Sequence, residues 1–388
     1  MKKIYILAGE PSGDLHGAHL VEAMKNHSSE IQFRGFGGHK MAKAGVALDQ
    51  TIDRLSFMGF SEVVRHFPDI FSNFRKAKKA IREWNPDAIV YIDFPGFNMR
   101  MAKWAHKKGY TNFYYIAPQA WAWKERRALK LKRDIDELFC ILPFEKSFFA
   151  RFEYDVHYVG HPLVDIIRKY REDLKGTIAE NQDGKDSVST LNDQSGESVN
   201  SEKIIALLPG SRQQEVMKIL PEQLNGVREL EGYQIIVAKS SNVSQEIYDD
   251  IATDLGMSGI AYEEDPYPLL DKAYIACVAS GTATLETALF KVPEVVCFKG
   301  SLISYFIARR LIKVQYISLV NLIMNREVVK ELIQDDLSTD NIHKEIVELT
   351  IPSKRKNLSK AYEELEEKLG VGGAAEKTAK IIISKLGS

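Results

Sequence analysis

Cysteine is scarce: the 388 residues hold three, Cys140, Cys277 and Cys297, each in an apolar stretch and far from the others. No pair has the spacing of a zinc knuckle or a redox dithiol. That excludes a disulfide framework, and an odd number of thiols suits a reducing compartment. A surplus of either charge is lacking too. Lys and Arg number 52 against 53 Asp and Glu, a formal net charge of −1, so no global field attracts nucleic acid. No apolar run approaches the roughly 18 residues of a membrane span. The run at residues 4–8 is shorter than a secretory h-region of about 7–15 residues and leads into Glu10 and Asp14. It reads as the first core strand of a cytoplasmic chain, for which any membrane contact is peripheral. HExxH, a histidine cluster of ligand spacing, a Walker lysine and GxGxxG are all missing. Neither a metal nor a cofactor is expected.

What is present is alternation. Short β-rich runs at residues 3–8, 31–33, 88–92, 113–116, 138–142 and 156–159 are separated by amphipathic patterns such as 15–25, 68–84 and 99–108. This is the signature of a parallel sheet covered by helices on both faces. A polar, Gly/Ser/Asn/Asp-rich stretch at 175–203 cannot bury enough apolar surface to offset its ordering entropy. The alternation then restarts at 204–208, 234–237, 274–279 and 294–298. The expected fold class is α/β, with two Rossmann-like doubly wound domains facing across a cleft. Their expected bounds are 1–170 and 204–350, joined by a mobile linker at 171–203 and followed by a helical tail at 351–388 that packs on the first domain or on a partner subunit.

In such sheets ligands bind beyond the carboxyl ends of the strands, so the loops there carry the information. The first is Gly9-Glu10-Pro11-Ser12-Gly13-Asp14, leading into a helix. Its glycines allow close approach and the helix start offers N–H groups to an anion, although Ser12 or Asp14 can equally cap the helix. Gly35-Phe36-Gly37-Gly38 repeats the pattern with less specificity. The run at 88–92 is followed by Asp93-Phe94-Pro95-Gly96-Phe97-Asn98. An acid there is either a general base for an attacking hydroxyl or a pin for its own loop. Trp121 and Trp123 supply either an aromatic wall for a sugar or acyl face, or core packing. His161, in Gly160-His161-Pro162, reads as a hinge rather than a ligand.

In the second half, Pro209-Gly210-Ser211-Arg212 and Ser280-Gly281-Thr282-Ala283-Thr284-Leu285-Glu286 each join a strand to a helix. Backbone amides, hydroxyls and the forked charge of Arg212 suit a diphosphate, and Glu286 suits a ribose diol. Two such loops without a Walker lysine favour a nucleotide sugar over ATP. An aromatic stretch from Phe57 to Phe74, followed by Arg75, Lys76, Lys78, Lys79 and Arg82, fits a surface helix touching anionic lipid, or an ordinary amphipathic helix.

Together GEPSGDLHGA, GFGGHKMAKAG, FMGFSEVV, IDFPGFN, APQAWAWK, VGHPL, LLPGSRQQEV, ASGTATLE and NLIMNREVVKELIQ, in this order, resemble the lipid-A-disaccharide synthases, bacterial glycosyltransferases of the GT-B class. The resemblance implies transfer from UDP-2,3-diacylglucosamine to 2,3-diacylglucosamine 1-phosphate, giving a β-1,6-linked disaccharide 1-phosphate and UDP with inversion and without a metal. It makes Asp93 the base and puts Glu10, Ser12, Asp14 and Asn98 on the acceptor side. Gly210, Ser211, Arg212, Ser280, Gly281, Thr282, Thr284 and Glu286 would bind UDP, with Asn321, Glu327, Glu331 and Gln334 at the donor site. Met58, Phe60, Val63, Val64, Phe67, Ile70, Phe71 and Phe74 become a membrane and acyl-chain surface. It also implies attachment to the inner face of the cytoplasmic membrane and a homodimer with exchanged C-terminal segments. The chain departs from the family pattern at residues 297–300 and 325–326. A UDP-sugar epimerase of the same fold class and a non-catalytic nucleotide-sugar sensor are the rival readings.

Overall fold

In the computed structural model, residues 1–52, 67–182, 203–257, 259–300 and 315–387 are described, apart from the side chains of 67–70, 123 and 177–182. Seven parallel strands form the first sheet: β1 (Lys2–Ala8), β2 (Ile31–Gly37), β3 (Ala47–Thr51), β4 (Ala88–Ile92), β5 (Thr111–Tyr115), β6 (Glu137–Cys140) and β7 (His157–Tyr158). They lie in the order β3-β2-β1-β4-β5-β6-β7. The central strands read as unbroken apolar runs because both faces are covered, and β4 is buried at all five positions.

The second sheet has six parallel strands: β8 (Lys203–Leu208), β9 (Tyr233–Ala238), β10 (Ala261–Glu263), β11 (Ala273–Ala279), β12 (Glu294–Phe298) and β13 (Lys330–Ile333). Their order, β10-β9-β8-β11-β12-β13, repeats that of the first sheet. Each sheet therefore has one point where its winding reverses, between β1 and β4 and between β8 and β11. There the loops diverge and leave room for a ligand. Four of the loops singled out from the sequence leave these four strands, while the Gly35–Gly38 turn ends β2.

The chain divides into two compact units, Met1–Asp165 with Leu369–Ser388, and Ile166–Lys368. The helix Pro162–Gln182 takes up the first part of the segment read as a polar linker, and 183–202 lie outside the described residues. The tail is helical, as Pro352–Leu369 and Ala374–Gly387. The last helix belongs to the first unit, where Ala374, Ala379 and Ile382 share a core with Ala18, Val21 and Met24 of the helix Pro11–His27. Asp165 fixes its start by accepting the Gly373 and Ala374 N–H groups at 2.6 and 3.0 Å. All three cysteines are buried free thiols.

Of the proposed lipid-facing residues, Met58, Phe60, Val63 and Val64 lie outside the described residues, as do the side chains of Phe67 and Ile70. Phe71 is 56 % exposed on the helix Phe67–Trp84, whereas Phe74 stacks on Phe97 with ring centroids 4.2 Å apart. Among the described residues no helix is long and apolar enough to cross a membrane.

Candidate active site

In the first unit the site starts where β1 and β4 end. The helix after β1 begins with Pro11 at its first turn, a position where the missing N–H is not needed. Glu10 is half-buried and Ser12 exposed. Asp14 is buried, and its carboxylate accepts the N–H groups of Gly38, Lys40 and Met41 at 2.7, 3.0 and 2.9 Å. It thus caps the neighbouring helix His39–Lys43 and ties the first loop to the Gly35–Gly38 turn. A Cβ on Gly38 would stand 2.5 Å from that carboxylate, so the turn needs glycine there.

Asp93 leaves β4 in the left-handed region, with φ of 44°, and Phe94 follows with φ of 50°. Two consecutive non-glycine residues in this region carry a strain of about 1–3 kcal/mol each, and such strain gathers at functional sites. The Asp93 N–H reaches back to the Tyr115 carbonyl at 3.1 Å. Burial pushes its carboxyl pKa up, opposed by a hydrogen bond from the Phe94 N–H. A raised pKa brings a carboxylate closer to the basicity a proton acceptor needs. Asn98 is fully buried, and its Nδ2 donates to the carbonyls of Leu7, Ile92 and Asp93 at 3.1, 3.2 and 2.8 Å. It braces the loop from beneath. Trp121 is packing: it is buried, donates Nε1–H to Glu145 at 3.1 Å and meets Phe144 edge-on. His161 is buried four residues before the boundary between the units.

In the second unit the loops after β8, β9 and β11 surround a pocket of about 560 Å³. Gly210, Ser211, Arg212, Ser280, Gly281, Thr282 and Glu286 all line it, so seven of the eight residues assigned to UDP come together. The eighth, Thr284, is fully buried and donates its hydroxyl to the Gly281 carbonyl at 2.9 Å, which shapes the turn. The cations in the pocket are matched internally. Arg212 lies 3.6 Å from Glu215, and Lys239 lies 2.9 Å from Glu264. Burial raises the pKa of Glu286, and Tyr267 Oη–H, donating at 3.0 Å, opposes the rise. The pocket thus offers amides and cations for an anion and acceptor oxygens for hydroxyl groups.

Asn321 and Glu331 stand behind this pocket rather than in it. Asn321 is fully buried; its Oδ1 accepts the Val328 and Val329 N–H groups at 2.7 and 3.0 Å, and its Nδ2 donates to Glu331 at 2.9 Å. Glu331 in turn accepts the N–H of Ile317 at 3.0 Å, and the Ile317 carbonyl accepts the Ser280 hydroxyl at 3.2 Å. Gln334, left-handed at φ of 57°, accepts the Gly300 N–H at 2.8 Å. Glu327 is exposed and pairs with Lys330 at 3.7 Å. Sequence reasoning missed Lys239, Ser240, Ser241 and Glu264 in the pocket wall. The first three directly follow β9, so the rule that identified the other loops also applies to Ala238-Lys239-Ser240-Ser241.

Comparison with known proteins gives one answer for the family and a broader one for the fold. The family model described as Lipid-A-disaccharide synthetase matches residues 4–382. The lipid-A-disaccharide synthase of Myxococcus xanthus is 32 % identical over 389 residues, covering 99 % of this chain and 97 % of its own. That of Syntrophus aciditrophicus is 36 % identical over 386 residues, covering 97 % and 96 %. Among solved structures, the UDP-GlcNAc 2-epimerase of Neisseria meningitidis bound to UDP-GlcNAc superposes with a TM-score of 0.66 at 14 % identity, over 100 % of this chain and 99 % of that one. The calicheamicin glycosyltransferase CalG4 gives 0.59 at 12 % identity, over 100 % and 98 %. At such identities these two show a shared GT-B-like fold alone, and the epimerase alternative is not favoured. With the family model and full-length relatives in agreement, the chain belongs to the lipid-A-disaccharide synthase family, glycosyltransferases of lipid A biosynthesis.

Proposed function

We propose that this chain transfers a 2,3-diacylglucosamine unit from UDP to the 6-hydroxyl of 2,3-diacylglucosamine 1-phosphate, with inversion and without a metal. One observation carries the reading: the loops after β8 and β11 bring Arg212, Ser280–Thr282 and Glu286 to one pocket at the point where the winding reverses. The pocket takes UDP, with Arg212 and the loop amides on the diphosphate and Glu286 toward the ribose. As the bond from the anomeric carbon to the diphosphate oxygen breaks, its electron pair leaves with UDP, and Arg212 stabilises the developing charge. The acceptor oxygen forms the new bond from the opposite face, and Asp93 takes its proton.

UDP release measured with both diacylated substrates tests this. Asp93→Asn is expected to keep UDP binding and to lose about 10²–10⁴-fold in turnover. Near-normal turnover would remove Asp93 from the role, and a rate abolished by EDTA would refute the metal-free route. Isomerisation of soluble UDP-N-acetylglucosamine would revive the epimerase reading, and tight UDP-sugar binding without UDP release in the presence of acceptor the sensor. The exposed Phe71, beside Arg75, Lys79 and Arg82, supports peripheral attachment to the inner face of the cytoplasmic membrane. Co-flotation with anionic vesicles checks it. The homodimer with exchanged C-terminal segments rests on the family resemblance, and sedimentation checks it.

A further inference from the structure

Two donors converge on one oxygen beside the proposed base, and neither donor belongs to the reacting surface. The carbonyl of Asp93 accepts the Tyr114 hydroxyl at 2.6 Å and Asn98 Nδ2 at 2.8 Å. Tyr114 lies on β5, next to β4, and is fully buried. A phenylalanine would fill that space as well, so what the hydroxyl adds is its one hydrogen bond. Burial pushes the phenol pKa well up, which keeps the proton in place as a permanent donor. The bonded oxygen belongs to the first of the two consecutive left-handed residues.

A left-handed backbone at aspartate persists only where its surroundings over-determine it. Turning the Asp93 carbonyl toward Tyr114 and Asn98 fixes the peptide plane, and with it the direction of the Cα–Cβ bond that carries the carboxylate. The Phe94 ring adds a stop on the other side, because a Cβ on Gly9 would sit 2.3 Å from that ring. We infer that Tyr114, together with Asn98, is a positioning residue for the transfer, holding the Asp93 carbonyl so that the carboxylate meets the acceptor hydroxyl. This rests on the reading of Asp93 as the base.

The test compares two hydroxyl deletions in the full chain. Tyr114→Phe removes the donor to Asp93. Tyr91→Phe removes an equally buried hydroxyl on the adjacent strand, which donates to Asn112 Oδ1 at 3.0 Å rather than to Asp93, and it keeps the ring that packs 5.7 Å from that of Tyr114. Both are expected to lower thermal stability alike. Only Tyr114→Phe is expected to lower kcat, by about 10–100-fold, with KM for both substrates within about twofold and the acid limb of the kcat–pH profile displaced, as misplacing a catalytic group by about an ångström does. Equal kcat losses in the two variants, or a wild-type kcat and pH profile in Tyr114→Phe, overturn the inference. If Tyr114→Phe does not accumulate, Asn98→Ser removes the other donor, and unchanged kcat there overturns it as well. Asp93→Asn, measured alongside, separates the two levels: if it stays active, the base reading falls first; if it is dead while Tyr114→Phe is normal, only the positioning role falls.

Discussion

Glu215 already sits on the donors that a diphosphate needs, and replacing it should tighten nucleotide binding while weakening the fold. It lies one turn into the helix Gln213–Val227, where its Oε2 accepts the Ser211 N–H at 3.2 Å and its Oε1 lies 3.6 Å from the Arg212 guanidinium. The left-handed Gly210, with φ of 112°, makes room, since a Cβ there would stand 2.6 Å from Oε2. Glu215→Gln keeps the shape and removes the charge. The lost helix-terminus and ion-pair interaction is worth about 0.3–1 kcal/mol at this half-buried position. In a unit of this size that lowers Tm by roughly 1–4 °C. In the bound state the same charge repels the diphosphate: at ~5 Å in water-like surroundings each unit charge contributes ~0.8 kcal/mol before salt screening. Removing it should therefore improve UDP affinity by about 1 kcal/mol, or roughly fivefold. Titration calorimetry with UDP and uridine on both proteins, beside a thermal melt, reads both effects. Uridine carries no phosphate and should be indifferent. Weaker UDP binding in Glu215→Gln, or a parallel change for uridine, would show that the carboxylate supports the ligand rather than standing in for it.

Burial holds His161 and His16 neutral, with pKa values lowered to about 3 and about 4, whereas the unfolded chain takes up protons near the usual 6.5. The first unit should therefore keep the full contribution of these two residues above about pH 6.5 and lose it progressively down to about pH 3, because there the unfolded state binds more protons. Replacing His161 with Asn should flatten the dependence of Tm on pH over that window, and an unchanged slope would refute this account. Asp93 has the opposite sign. Its raised carboxyl pKa means that the folded state binds the extra proton, so stability falls as pH rises from about 4 through the raised value. Asp93→Asn should melt above the wild type at pH 7.5, with the gap closing near pH 4, even as turnover is lost.

How legible all this was in the sequence depended on where a strand sits in its sheet. The interior strands β1, β4, β8 and β11 are enclosed on both sides and spell continuous apolar runs such as Ala88-Ile89-Val90-Tyr91-Ile92, and the loops that follow them held most of the site. The runs read from the sequence missed β3, β10 and β13, each the outermost strand of its sheet. Ala47-Leu48-Asp49-Gln50-Thr51 and Lys330-Glu331-Leu332-Ile333 carry charged residues where, among the described residues, one side has no neighbouring strand, and charge at such an edge discourages unwanted pairing. Within the site, residue type predicted location better than role. Asp14, Asn98, Thr284 and Asn321 lie beside the expected loops, but the Asp14 carboxylate, Asn98 Nδ2, the Thr284 hydroxyl and Asn321 Oδ1 are bonded to backbone. Ligand-facing and scaffold-facing asparagines cannot be told apart until the backbone path is known.

The last helix returns to the unit that the chain begins. Ala374, Ala379 and Ile382 complete the wall against which the helix Pro11–His27 packs, and Asp165 waits for the amides of Gly373 and Ala374. During translation, then, the first sheet emerges more than two hundred residues before the piece that seals it. The second unit is contiguous, Ile166–Lys368, and its sheet is complete at Ile333, ahead of that helix. Synthesis from the front therefore need not mean maturation from the front: the half bearing Asp93 stays unsealed until Ala374–Gly387 arrives, after the whole of the nucleotide-pocket half has been made.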